Sequence, residues 1–266
     1  MALPTEPPAE LFAPNPERVV PQLVAFIRRE VEKSGRSGVV LGMSGGVDSS
    51  VVAHLSVRAL GPSRVHAILM PFRTSSEESL RHAKLEIAKL GIQHRTIEIT
   101  EVAEALFRLI PGMDRKRMGN AMARLRMAIL FDQSEEHHAL VIGTSNRTEI
   151  LLGYGTIHGD AAWGLGPIGG LYKTEVRHLA RALGVDREIV EKAPTADLWV
   201  GQTDEGELGV SYEIADRVLY LMVDRGMAPE QVVALGYEAG AVERVAGLVA
   251  ASEFKRRMPP VAVIER

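Results

Sequence analysis

The chain has 266 residues, enough for one large α/β domain with a substantial core. Its 31 basic and 34 acidic side chains nearly cancel, so the charge balance argues for no nucleic-acid partner, and the absence of cysteine excludes disulfides, thiolate metal sites and cysteine nucleophiles. No apolar run approaches the roughly 18 residues of a membrane span and no signal-peptide core opens the chain, so a soluble, cytoplasmic protein with no membrane partner is expected.

Taken in order, residues 1–14 carry Pro4, Pro7, Pro8 and Pro14 and are expected to form an irregular tail ahead of a single domain over 15–266. Asn15-Pro16 reads as the cap and first position of a helix with Val20, Leu23, Val24 and Ile27 on one face. Gly38–Leu41 is a buried strand. It runs into the turn Gly42-Met43-Ser44-Gly45-Gly46 and a helix from Val47 to about Leu60. Val65–Met70 is a second strand. Ser75-x-x-Glu78 reads as a capping box for a helix closed by Gly91. A third strand is expected at Thr96–Ile99, a short helix at 101–110, a longer helix from Asn120 to His137 and a fourth strand at Leu140–Ile142. Seven glycines between Gly153 and Gly170 mark a long loop, of the kind that is usually functional. A helix resumes near Thr174 and stops at Gly184. The acidic run 204–207 reads as a solvated loop. Ser211 caps a helix with Ile214, Val218, Leu221 and Met222 inward, and two more helices fill 228–251.

Alternating strands and helices predict a doubly wound, mainly parallel sheet with helices on both faces, followed by a C-terminal helical segment. In such a sheet, ligands bind beyond the carboxyl ends of the strands, where the strand order reverses. The turns after the first strand and after the fourth, Gly143–Glu149, would face one cleft. The first turn places unpaired backbone N–H groups at the positive end of a helix, which suits an anion, most often phosphate. No lysine follows it, so it is not a Walker A loop.

Four segments together resemble one family. Ser44-Gly45-Gly46-Val47-Asp48-Ser49 is similar to the pyrophosphate loop of the N-type ATP pyrophosphatases. Gly119-Asn120-Ala121-Met122-Ala123-Arg124-Leu125-Arg126-Met127 resembles the Gly-Asn-x-x-Ala-Arg-x-Arg-Met helix of NAD synthetases. Gly143-Thr144 to Glu149, with Gly153-Tyr154 and Gly159-Asp160, matches that family's next block. Pro194-Thr195-Ala196-Asp197-Leu198, with Asp204-Glu205 and Glu207-Leu208-Gly209 behind it, is the most specific piece. The resemblance, over about residues 18–260, is to the NH3-dependent NAD+ synthetases.

It implies ATP-dependent amidation of deamido-NAD+ with ammonia, through an adenylated carboxylate, with release of pyrophosphate and AMP. It further implies an ATP site made of Gly42, Met43, Ser44, Gly45, Gly46, Val47, Asp48, Ser49, Thr144, Lys173 and Thr195, with Asp48 and Lys173 in catalytic roles. Mg²⁺ would be held by Asp48 and Glu149, and the dinucleotide by Arg124, Asp160 and Lys255. The resemblance implies a homodimer. With no glutaminase domain or cysteine nucleophile in the chain, ammonia is expected to arrive free or from a separate glutaminase. Two positions depart from the family pattern, Ile157 in place of lysine and Gly164 in place of aspartate. Either the nicotinate end is held differently, through His158, Asp160 or Trp163, or the acceptor is another carboxylate. A related AMP-forming amide ligase and a non-catalytic adenine-nucleotide sensor are the competing readings.

Overall fold

The computed structural model describes residues 12–195, 197, 199 and 201–264. Most of the expected 1–14 tail lies outside the described residues, as do Ala196 and Leu198 of the Pro194–Leu198 segment. Phe12 is buried, with its ring edge-on to Tyr172 at 5.6 Å. Among the described residues, one parallel sheet contains β1 (Gly38–Gly42), β2 (Val65–Leu69), β3 (Gln93–Thr96) and β4 (Ala139–Val141), in the spatial order β3-β2-β1-β4. In chain order the helices are α1 (Pro16–Ser34), α2 (Val47–Leu60), α3 (Glu77–Leu90), α4 (Thr100–Leu109), α5 (Arg115–Glu136) and α6 (Arg147–Leu152). They continue with α7 (Lys173–Leu183), α8 (Arg187–Glu191), α9 (Asp204–Leu208), α10 (Tyr212–Leu219), α11 (Pro229–Ala234) and α12 (Ala239–Ala251).

Neighbours along a pleated strand point to opposite faces, so a strand covered on both sides must be apolar throughout. In β1, Val39 and Leu41 join a large core with Ile27, Val51, Leu55, Ile87 and Leu179 from α1, α2, α3 and α7. Val40 points the other way, toward Ile68, Ala139 and Leu130, beneath α5. Each of the three β1 side chains is fully buried. The sheet is thus doubly wound, as the alternation of elements predicts. A second core gathers Leu152, Tyr172, Tyr212, Val218, Leu219 and Val242 into the C-terminal helical layer.

The chain leaves β1 for β2 and β3 on one side, then returns to place β4 on β1's other edge. The connections after β1 and β4 therefore part in opposite directions and open a crevice between them. The glycine-rich 153–170 segment is a loop, with one parallel bridge from Leu165 to Ile142 beside β4.

Several boundaries differ from expectation for identifiable reasons. The third strand is Gln93–Thr96, not Thr96–Ile99; it is an edge strand whose residues are all exposed, so no apolar run marks it. The cap of α3 is Ser76, which accepts from Ser79 N, whereas Ser75 Oγ accepts from Phe72 N in the preceding turn. Helix α5 starts five residues before Asn120 because Asp114 caps it by accepting from Arg117 N at 2.8 Å. In α10 the inward residues are Tyr212, Ala215, Val218 and Leu219; Ile214 faces outward. The acidic run forms α9 rather than a solvated loop, and Asp204 is buried.

Candidate active site

The crevice is a cavity of about 860 Å³ walled by both connections and by residues from α5, α9 and the 153–170 loop. On its floor, Gly45 has φ +80°, a left-handed conformation that glycine adopts freely. A Cβ there would stand 2.0 Å from the Ser79 carbonyl oxygen, so the turn is pressed against the start of α3. Ser44 Oγ accepts from Gly46 N at 3.2 Å and lies 3.1 Å from Ser49 Oγ. Ser49 and Ser50 hydroxyls both donate to the Gly46 carbonyl at 3.0 Å. The side chains thus brace the turn from behind. The first-turn N–H groups of α2 have no intrahelical acceptor, which favours an anion at this end.

Charge concentrates where α2, α6 and α7 converge. Lys173, the first residue of α7, is 3% exposed; its Nζ donates to Asp48 Oδ2 at 2.5 Å and to Glu149 Oε1 at 3.2 Å. Its ammonium also lies 5.1 Å from the centre of the Tyr212 ring. Burial opposes a charged Lys173, but Asp48 and Glu149 outweigh it and hold the ammonium above its ordinary range. Burial raises the Glu149 carboxyl, Lys173 pulls it down and Asp48 pushes it up again.

Three residues fix this geometry. Asn146 caps α6 by accepting from Glu149 N, while its amide donates to Asp48 Oδ1 at 3.0 Å. Thr148 Oγ1 accepts from Lys173 N at 2.9 Å and donates to Asp216 Oδ1 at 2.5 Å. Asp216 Oδ2 in turn accepts from Thr174 N and Thr174 Oγ1, at 2.8 and 2.7 Å. One buried carboxylate from α10 therefore ties α6 to α7. Above the cluster, Asp204 accepts from the Tyr212 hydroxyl at 3.1 Å, and the Tyr154 hydroxyl lies between Asp204 and Glu207.

Of the expected site residues, Gly42 to Asp48, Thr144, Glu149, Asp160, Lys173, Thr195 and Lys255 all line the one cavity. Asp160 Oδ1 accepts from Thr156 N at 2.8 Å, and Lys255 donates to the Gly153 and Gly155 carbonyls at 2.8 and 2.7 Å. Ser49 stands behind the turn rather than in the cavity wall. Arg124 is on the exposed face of α5 outside the cavity. Two positions along, on another face as helical spacing requires, Arg126 lines the cavity and donates to the Met70 carbonyl at 3.0 Å. Ile157, His158 and Gly164 lie outside the wall; Gly164 is packed on β4, its N–H bonded to the Val141 carbonyl at 2.8 Å. Asn146, Thr148 and Asp216 escaped sequence reading. Only Asn146 gave a local signal, as a cap three residues before Glu149.

Residues 19–259 match the NAD synthase family. An NH3-dependent NAD+ synthetase of Chlorobaculum tepidum is 49% identical over 240 residues, covering 90% of this chain and 87% of the relative. Among solved structures, an NMN synthetase from Francisella tularensis has a TM-score of 0.84 at 33% identity, covering 94% of this chain and 99% of its own. An NH3-dependent NAD synthetase from Campylobacter jejuni, solved with a nitrate ion, has a TM-score of 0.81 at 32% identity, covering 94% and 100%. The conjunction of fold, cavity and motifs thus has one explanation, and the chain belongs to the NAD synthase family.

Proposed function

We propose that this chain is an ammonia-dependent NAD+ synthetase, a ligase that converts deamido-NAD+ to NAD+ with ATP. One observation carries the mechanism: a buried ammonium held between two carboxylates beside a glycine turn at the sheet's switch point. In the first step an oxygen of the nicotinate carboxylate attacks the α-phosphorus, and the bond to the β-phosphate breaks. Negative charge grows on the departing pyrophosphate. The N–H groups at the start of α2, together with Lys173, are preorganised donors for such charge. In the second step ammonia attacks the carboxyl carbon, the bond to AMP breaks, and the nitrogen gives up a proton to yield the carboxamide.

The donor set fits Mg²⁺. Asp48 and Glu149 are hard oxygen ligands that remain open to the cavity, at 17% and 16% exposure. No group of three or more metal-ligating side chains stands among the described residues. An ion held by these two carboxylates would complete its coordination with phosphate oxygens and water. When bound, it would offset phosphate charge.

The family resemblance supports a homodimer, as do the exposed apolar side chains Val102 and Leu109 of α4 and Phe131 of α5. It also supports a cytoplasmic enzyme supplied with free ammonia or served by a separate glutaminase. A second reading, amidation of the corresponding mononucleotide, is favoured by the likeness to the Francisella tularensis NMN synthetase. The test is purified protein with ATP, Mg²⁺, ammonium and either acceptor. Equal amounts of NAD+, AMP and pyrophosphate from the dinucleotide support the first reading. Turnover of the mononucleotide alone supports the second, and failure to form AMP with either overturns both.

A further inference from the structure

Lys192 follows α8 and reaches the first turn of α3. Its Nζ lies 2.9 Å from Ser79 Oγ and 3.0 Å from a Glu78 carboxylate oxygen. Ser79 is also the residue whose carbonyl confronts Gly45, so one residue touches both the Lys192 ammonium, through its hydroxyl, and the glycine turn, through its carbonyl. Lys192, Gly45 and Ser79 all line the same cavity. The turn is therefore flanked by two ammonium groups, Lys173 beyond Asp48 and Lys192 across Ser79.

Their settings differ. Lys173 is 3% exposed and held by two partly buried carboxylates. Lys192 is 18% exposed, and its carboxylate partner, Glu78, is 56% exposed. An ion pair with so much water around one partner is weak, and exchanging that partner for another anion costs little. A phosphate chain laid on the turn brings several negative charges within reach of the lysine's flexible four-carbon stem.

Resting on the reading that ATP lies along Ser44–Gly46, we propose that Lys192 is a second phosphate-contacting residue. In the nucleotide complex its ammonium leaves Glu78 and takes an oxygen of the two phosphates that depart as pyrophosphate. Glu78 is the internal competitor for that contact. Lys173, fixed by Asp48 and Glu149, stays in place while Lys192 follows the leaving group.

The two residues should act with opposite signs. Lys192→Met is expected to raise the KM for ATP and the inhibition constant of pyrophosphate about tenfold or more, the loss of one charge-assisted hydrogen bond, with the KM for ammonium unchanged. Lys192→Arg should restore most of the affinity. Glu78→Gln, an exposed change that leaves packing intact, should lower the KM for ATP. Unchanged ATP and pyrophosphate constants in Lys192→Met, or weaker ATP binding in Glu78→Gln, would overturn the proposal. Should Lys192→Met fail to fold, as a melting scan shows, Glu78→Gln and Lys192→Arg carry the same test. Should the wild-type protein form no AMP, the synthetase reading fails on its own, and calorimetric titration of the same variants with inorganic pyrophosphate decides the role of Lys192.

Discussion

Gly45→Ala and Gly46→Ala place the same methyl group one residue apart and should have very different consequences. At Gly45 the new Cβ would stand 2.0 Å from the Ser79 carbonyl oxygen, and the backbone has φ +80°. Ordinary contact needs about 3.4 Å, so either the turn or the first turn of α3 must move by about 1.4 Å. The start of α3 is anchored by Ser76 N donating to Asp197 and by Ser79 Oγ beside Lys192, so the turn is the part that yields. A left-handed alanine costs about 1–2 kcal/mol and overpacking about 1–3 kcal/mol, for a loss of roughly 2–5 kcal/mol. At Gly46, φ is −90° and the Cβ meets only Ser44 Oγ at 3.4 Å. Reduced unfolded-state entropy roughly offsets the poorer cap there, and stability should change by less than about 1 kcal/mol. In a melting scan, Gly45→Ala should fall by about 4–10 °C and Gly46→Ala should stay close to wild type. Because a displacement of about 1 Å at a reacting centre can cost about 10²-fold, kcat/KM for ATP should drop at least that far in Gly45→Ala. Equal stability of the two variants would refute the close approach of Ser79 to the turn.

Asp48→Ala should lower turnover about 10³-fold or more while the melting temperature stays within a few degrees; near-normal NAD+ formation would remove Asp48 from the reacting centre. Asp216→Asn keeps one oxygen for Thr174 N and Oγ1 only by turning its NH2 toward Thr148 Oγ1, whose proton then loses its acceptor, and should cost about 1–3 kcal/mol in urea unfolding. Its kcat should fall as well, because Lys173 and Glu149 ride on the elements it ties together; an unchanged kcat would refute that positioning. Away from the cavity, buried Glu86 bonds the His54 ring at 2.5 Å and accepts from Asp186 N at 2.9 Å. Burial raises its carboxyl, but His54 and the Asp186 N–H outweigh that and hold it below 4.5. A depressed carboxyl contributes stability that is complete above its unfolded value and lost as pH falls through the folded one. Glu86→Gln should therefore be less stable than wild type at pH 7, and the gap should close as pH drops below about 4.5. A gap that is constant with pH would contradict the assignment.

The parts of the site that sequence made legible are those written in local chemistry. The glycine turn needs φ > 0 and close approach, which Gly45 announces, and the buried strand before it is a continuous apolar run. The Asn15 cap and the Ser211 cap are likewise one-residue statements, and both are made. What stayed hidden depends on partners distant in the chain. Asp216 reads as an ordinary polar position in an amphipathic helix, and only the packing of α10 on α6 and α7 turns it into a buried clamp. The edge strand β3 has polar, exposed residues and is defined by its ladder to β2, which no periodicity encodes. The roles of Arg124 and Arg126 illustrate the same limit. Their spacing separates them onto different faces, and only the fold says which face meets the cavity.

The Asp216 clamp has a consequence for how such a protein can vary. The 153–170 loop joins α6 to α7 in the chain but does not have to hold them together, because α10 does so from outside. The Asp216 bonds to Thr148 and Thr174 set the separation of Glu149 and Lys173 by a route that bypasses the loop. The outer part of the loop, where Ile157 lies outside the cavity wall, is thereby spared the task of joining the two helices, while Leu165 and Ile168 keep its inner part in the core. Recognition and reaction can then diverge at different rates within one chain.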